Sequence, residues 1–216
     1  MKKIVLLMTL LCLFFKMNGQ SYDAYNDAYT IDNDVVKEQI QSMVVDYQYQ
    51  LFKLANGSNL QSVRNTARDV AKALFMKKGG YYTYQMNNQT ISDKCIMETV
   101  NKYKPAIKYK KLVRNYLDVL AQQPYKIEIT GTKEIVVDNP KKISDTQLQT
   151  TAYIGQKFVK YSDNKIRYID ITYMKIVVFI DIYIVDNKYE YVIRLEDCEV
   201  QSVAEDGTIP ESLQYD

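Results

Sequence analysis

The chain has 216 residues, with 28 lysines and arginines against 26 aspartates and glutamates, a formal net charge of +2. A chain so close to neutral offers no electrostatic case for nucleic acid or an anionic lipid surface as partner. It also has no histidine, which excludes Ser-His-Asp and Cys-His nucleophilic systems and any imidazole metal site.

Lys2 and Lys3 precede an apolar run from Ile4 to Phe15, which Lys16 closes and Gly19 and Gln20 follow. That is the layout of a secretory signal peptide, and the run is too short to span a bilayer as a helix. Residues 1–19 are therefore expected to be removed. The remaining 197 residues carry 25 basic and 26 acidic side chains and no integral membrane span. The expected destination is the periplasm, the cell envelope or the exterior. Residues 20–33, QSYDAYNDAYTIDN, repeat Tyr, Asp and Ala at a spacing of four and read as an N-terminal tether. A single domain is expected over 34–203, with a short tail over 204–216.

Helical spacing begins at Val36 and runs through Ile40, Met43, Val44, Tyr47, Leu51 and Leu54, with Asn33 or Asp34 as cap and Gly57 as stop. Ser58 and Gln61 have capping-box spacing for a second helix, whose inner face would be Leu60, Val63, Ala67, Val70, Ala71 and Leu74. Gly79-Gly80 would end it. YYTYQM reads as a short strand. A third helix is expected over Ser92–Tyr103, and Pro105 is placed to open a fourth with Tyr109, Leu112, Val113, Tyr116 and Leu120 inward.

From Tyr125 the period changes to two. YKIEITGTKEIVVD reads as a hairpin turning near Gly131-Thr132, and three long strands follow at about 148–161, 166–185 and 188–200. Helices first and an antiparallel sheet afterwards indicate an α+β domain, with the N-terminal helices on one face of a bent sheet and long C-terminal hairpins.

Asp186-Asn187 is a two-residue turn whose residues tolerate positive φ. It pairs Ile184 with Tyr189, Ile182 with Tyr191, Ile180 with Ile193 and Val178 with Leu195, which makes that row the core face. Asp181 then falls on the other face, opposite Val192 and diagonal to Arg194. A turn at Asp163-Asn164 would pair Phe158 with Ile169, Ile154 with Tyr173 and Lys157 with Asp170. The apolar phase switches near Met174, so a β-bulge is expected at 173–175. After that bulge the second face gathers Asp170, Lys175, Val177, Phe179, Asp181 and Tyr183, joined by Tyr153, Val192 and Arg194, too apolar for a fully solvated surface and suited to a partner.

The element order, the long final hairpins and the bend inferred in ITYMKIV together make residues 34–200 resemble the nuclear transport factor two-like, or cystatin-like, α+β roll. The resemblance implies an apolar-ligand cone between helices and sheet, or sheet-mediated dimers. It carries no catalytic residue onto this chain.

Other chemistry is thin. Cys95 and Cys198 are the cysteines of the exported chain, and an oxidising compartment permits a bridge between them without requiring one. They cannot supply a four-thiolate zinc site, and no metal or cofactor is expected. Asp170 and Asp181 are separated by roughly 35 Å of strand, too far for joint acid–base work. The sequence thus favours an exported, non-enzymatic binding module that meets a protein partner or a second copy through the second sheet face. A carrier of a small apolar ligand and an enzyme using Asp181 are the alternatives.

Overall fold

The structure is a computed structural model and describes residues 33–86, 89–101, 104–131, 135–162, 165–185 and 188–204. The expected signal peptide, nearly all of the tether, residues 205–216 and the turns at Asp163-Asn164 and Asp186-Asn187 lie outside the described residues. No helix among the described residues is long and apolar enough to cross a membrane.

Helix α1 (Asn33–Ala55) buries Val36, Ile40, Met43, Val44, Tyr47, Leu51 and Leu54, the stripe that its sequence spacing predicts. Gly57 follows it because the chain passes the Tyr125 carbonyl so closely that a Cβ would sit 2.5 Å from the oxygen. Helix α2 (Gln61–Ala73) differs from expectation at its start. Ser58 does not cap it, Leu60 is its uncapped N-terminal residue, and Leu60 and Val63 are exposed. Arg64 takes their place on the inner face, together with Ala67 and Ala71. Its guanidinium donates from Nε to Leu54 O at 3.0 Å, and from Nη2 to Leu120 O and Gln123 O at 3.0 and 2.8 Å. A buried cation thus satisfies terminal carbonyls of two other helices, the groups that lack partners within their own helix.

After α2 the backbone makes a tight left-handed turn through Lys77, Lys78 and Gly79, all with positive φ. Glycine is needed at the third position, since a Cβ there would lie 2.9 Å from the Arg114 nitrogen and from Val113 Cβ. The turn leads into β1 (Tyr81–Met86), which pairs with β2 (Gln89–Lys94) as a separate two-stranded sheet.

The expected third helix is instead β3 (Ile96–Asn101), paired antiparallel with β4 (Lys104–Leu112); Pro105 lies within that strand rather than opening a helix. Pairing on both sides of β3 overrides the helical spacing of Ile96, Met97 and Val100. The fourth expected helix is shorter, α3 (Val113–Gln122), and buries Val113, Leu117, Leu120 and Ala121. The expected hairpin over 125–138 does not form. β5 (Ile127–Gly131) and β6 (Val136–Val137) both pair with β8, as does β7 (Lys141–Ser144).

The long strands β8 (Gln147–Ser162), β9 (Lys165–Val185) and β10 (Lys188–Ala204) form the middle of an eight-stranded sheet. The order is β4-β3-β10-β9-β8-β5, and the pairing is antiparallel except between β10 and β3, which run parallel at Cys198 and Met97. The domain is α+β, with its helices on one sheet face.

The last hairpin has the expected register, from Tyr189 opposite Ile184 to Leu195 opposite Val178. Its core row ends sooner than expected. The Tyr191 hydroxyl accepts from Gln39 Nε2 at 2.9 Å, whereas Ile184 is 68% exposed. The preceding hairpin is one residue out from expectation. An irregularity between Lys160 and Tyr161 places an extra residue on β9, so Phe158 faces Asp170, Ile154 faces Met174 and Lys157 faces Ile171. The bulge expected at 173–175 is not on β9, which pairs with β8 without a break there. The extra residues belong to β10, between Leu195 and Cys198 and between Val200 and Ser202. The apolar phase switches in β9 because both of its faces are buried from Asp170 to Met174.

Replacing Arg64 by lysine keeps the charge but cannot reach three carbonyls with one planar fork. Arg64→Lys is expected to lower unfolding free energy by roughly 2 kcal/mol in urea titrations, and an unchanged midpoint would refute the linking role of this side chain.

Candidate functional site

The one-residue shift in the β8–β9 hairpin decides where the polar residues of β9 go. With Phe158 opposite Asp170 and Gln156 opposite Thr172, all four side chains share the inner face of the sheet. Here the sheet curls beneath α1 and α3, and a cavity of about 130 Å³ remains between the layers. Tyr47 of α1 and Tyr116 of α3 line it from above. Gln156, Phe158, Asp170 and Thr172 form its floor, and Met97 to Val100 of β3 and Val200 of β10 form one wall.

Each polar group in this lining has its own circumstances. Thr172 Oγ1 donates to Asp170 Oδ1 at 3.1 Å. Burial raises the Asp170 carboxyl above its ordinary range, against the opposing pull of hydrogen bonds from Tyr168 and Thr172. Burial likewise raises the phenols of Tyr47 and Tyr116, so both remain neutral donors. Glu98 is almost wholly buried, and its Oε1 accepts from Val200 N at 3.2 Å and lies 2.7 Å from Lys108 Nζ. Gln156 is 1% exposed, and its Nε2 has no hydrogen-bond partner. A buried amide donor without an acceptor is costly, about 1–3 kcal/mol, which makes this atom the least settled group of the cavity.

The second sheet face has a different character. Tyr82 and Tyr84 of the β1–β2 hairpin meet Phe179 with ring centroids 6.2 and 5.2 Å away, and Phe179 is 1% exposed. Asp181 lies opposite Val192, as the sequence predicts, and is bound by Arg194 Nη1 at one oxygen and by Gln147 Nε2 at the other, the latter at 2.6 Å. Its carboxylate is buried and doubly supported, while the Arg194 side chain remains half-buried. Val177 is partly buried, and Tyr153 faces Lys175 and donates to Asp138 Oδ2 at 3.3 Å. Tyr183 and Val192 are exposed. The structure therefore unites Asp181 with Arg194 and leaves Tyr183 and Val192 open, while the hairpin covers Phe179. Asp170, grouped with these residues by the expected register, belongs to the opposite face.

Cys95 and Cys198 are free and buried, and Cys95 Sγ donates to Met76 O at 3.3 Å. Burial pushes the Cys95 thiol up to about 12. Among the described residues, no group of three or more His, Cys, Asp or Glu side chains is placed to hold a metal ion.

Sequence reasoning missed Gln156, Glu98 and Asp170 as neighbours. The available signal was the polar pair Gln156 and Thr172 inside otherwise apolar rows. Reading it required the extra residue near Arg167, which no composition cue marks.

One further carboxyl stands apart. Glu196 lies in the β10 irregularity, where Glu196 and Asp197 together oppose Val177. It is buried, and burial, with Asp197 and Glu199 adding to it, pushes it up to about 8 from 4.5. Asp197 is occupied separately, accepting from Ile96 N at 2.6 Å.

No family model matches the chain, and no curated protein matches it. Among solved structures, the chain is similar to a Novosphingobium aromaticivorans protein provisionally named a scytalone dehydratase. The identity is 14%, the TM-score is 0.39, and the match covers 80% of this chain and 89% of that one. This likeness assigns neither family nor activity.

A folded-state value above the unfolded one means that Glu196 favours the folded chain while protonated. That contribution is complete below about 4.5 and is lost as pH rises towards about 8. Glu196→Gln is therefore expected to flatten the decline of stability over this window and to raise the melting temperature at pH 8. Parallel wild-type and variant pH profiles would overturn the assignment.

Proposed function

We propose that the protein is a binding module for a small molecule, which enters between α1, α3 and the inner face of the sheet. The observation that carries this reading is the cavity lined by Gln156, whose buried amide nitrogen lacks a partner. A core arranged for stability alone would fill such a space with apolar atoms, or would pair the amide. A volume of about 130 Å³ is close to that of an engineered protein cavity of about 150 Å³ that admits benzene. The ligand, or the part of it that enters, is therefore ring-sized. The lining is mixed rather than purely apolar, which refines the expectation of a carrier for an apolar compound.

The experiment is a titration of the ¹⁵N-labelled protein with a panel of ring-sized organic compounds. Binding compounds are expected to shift the amides of Met97–Val100, Gln156 and Asp170–Thr172, and Val100→Phe, which fills the cavity, is expected to abolish those shifts. A panel that moves none of these amides would refute the reading.

A second reading keeps the partner surface. Tyr183, Ile184 and Val185 are exposed at the end of the β9–β10 hairpin, beyond Gln147 opposite Asp181, the last β8–β9 pair, and Val192 is exposed on β10 opposite Asp181 itself. Apolar groups on both faces of a projecting ribbon suit association with a protein, including a second copy. On this reading Tyr183→Ser with Ile184→Ser lowers the mass seen in sedimentation and leaves circular dichroism unchanged. A wild-type chain that sediments as a monomer at all concentrations would sink self-association. Export to the periplasm, cell envelope or exterior remains part of both proposals and rests on the signal-peptide pattern of residues 1–19.

A further inference from the structure

The polar inventory of the cavity has a sign. Its two carboxyl groups are both supplied with donors, Asp170 by Thr172 and Tyr168 and Glu98 by Val200 N and Lys108. Lys108 is committed as well, since its Nζ also donates to Val200 O at 2.5 Å. The group left over is a donor, Nε2 of Gln156.

We infer that the ligand is a small neutral carbonyl compound whose oxygen accepts from Gln156 Nε2 and whose apolar body lies against Tyr47, Tyr116 and Phe158. This deepens the proposed function and rests on the cavity being a ligand site. The argument for an acceptor is the unpartnered N–H: a ligand that lacks one leaves the donor buried and unpaired, which binding sites built around a hydrogen bond discriminate against strongly. The argument for neutrality is the pair of carboxyl groups in the same lining, with the nearby ammonium already engaged. An anionic ligand would be brought beside them without a free cation to meet it.

The test compares three probes of similar size on the full-length protein, read by amide shifts around Gln156 and Thr172. The probes are cyclopentanone, its isostere methylenecyclopentane, which has no acceptor, and isobutyrate, which is charged. Cyclopentanone is expected to bind tighter than methylenecyclopentane by roughly tenfold or more, with isobutyrate weakest. Gln156→Leu is expected to erase the preference while retaining binding of methylenecyclopentane. The wild-type comparison stands without the variant should Gln156→Leu not fold. Equal binding of cyclopentanone and methylenecyclopentane overturns the carbonyl inference and leaves the cavity as a ligand site; so does tighter binding of isobutyrate. Binding by none of the three overturns both.

Discussion

From Tyr168 to Ile182, β9 is at least partly covered on both faces, and that double burial governs the rest of the molecule. An antiparallel strand usually has one wet face, which its sequence shows as alternation. Here the helices and the core row of β8 and β10 cover one side. Over Phe179 the other side is covered by Tyr82 and Tyr84 of a hairpin that belongs to no larger sheet. Near its other end a small group, Ile171, Tyr173 and Ala204, closes the second face. The buried polar residues of this stretch, Asp170, Thr172 and Asp181, therefore have to find partners within the protein.

Four carboxyl groups among the described residues are buried, two of them on β9, and their partners differ. Asp181 has a cation and an amide, and Glu98 has a cation and a backbone nitrogen. Asp170 is held by neutral hydroxyl donors alone, so burial is only partly offset. Glu196 has no hydrogen bond among the described residues, and its proton affinity rises accordingly. The charged pairs are structural, since their attraction compensates for lost hydration. The carboxyl groups without a cation are the ones left open to chemistry or to a ligand, and of these only Asp170 lines a cavity.

The α+β order, the stripe of α1, the three long strands and the register of the last hairpin were all legible in the sequence. Their signals are strong because a single period persists over many residues, and because Asp186-Asn187 leaves no other register that keeps Ile180, Ile182 and Ile193 inside. The site was not legible, for a specific reason. Asp170 changes faces when one residue is added near Arg167, and such an irregularity leaves no mark on alternation where both faces are buried. The segment containing Ile96, Met97 and Val100 was misread for a related reason. Its spacing fits a helix, but β4 and β10 supply backbone partners on either side, and local preference yields to that pairing. Phe179 looked like a surface residue because its cover, the hairpin carrying Tyr82, comes from nearly a hundred residues earlier in the chain.

The Arg64 guanidinium has a consequence for how the molecule loosens. Its three acceptors, Leu54, Leu120 and Gln123, come from the ends of helices far apart in sequence, and the arginine itself belongs to a third. None of these helix ends can fray alone without stranding a charge in the interior. The three helices are thereby coupled near their ends, so loosening one end costs the other two a partner. The cavity lined by Tyr47 of α1 and Tyr116 of α3 therefore lies under helices that share one anchoring side chain.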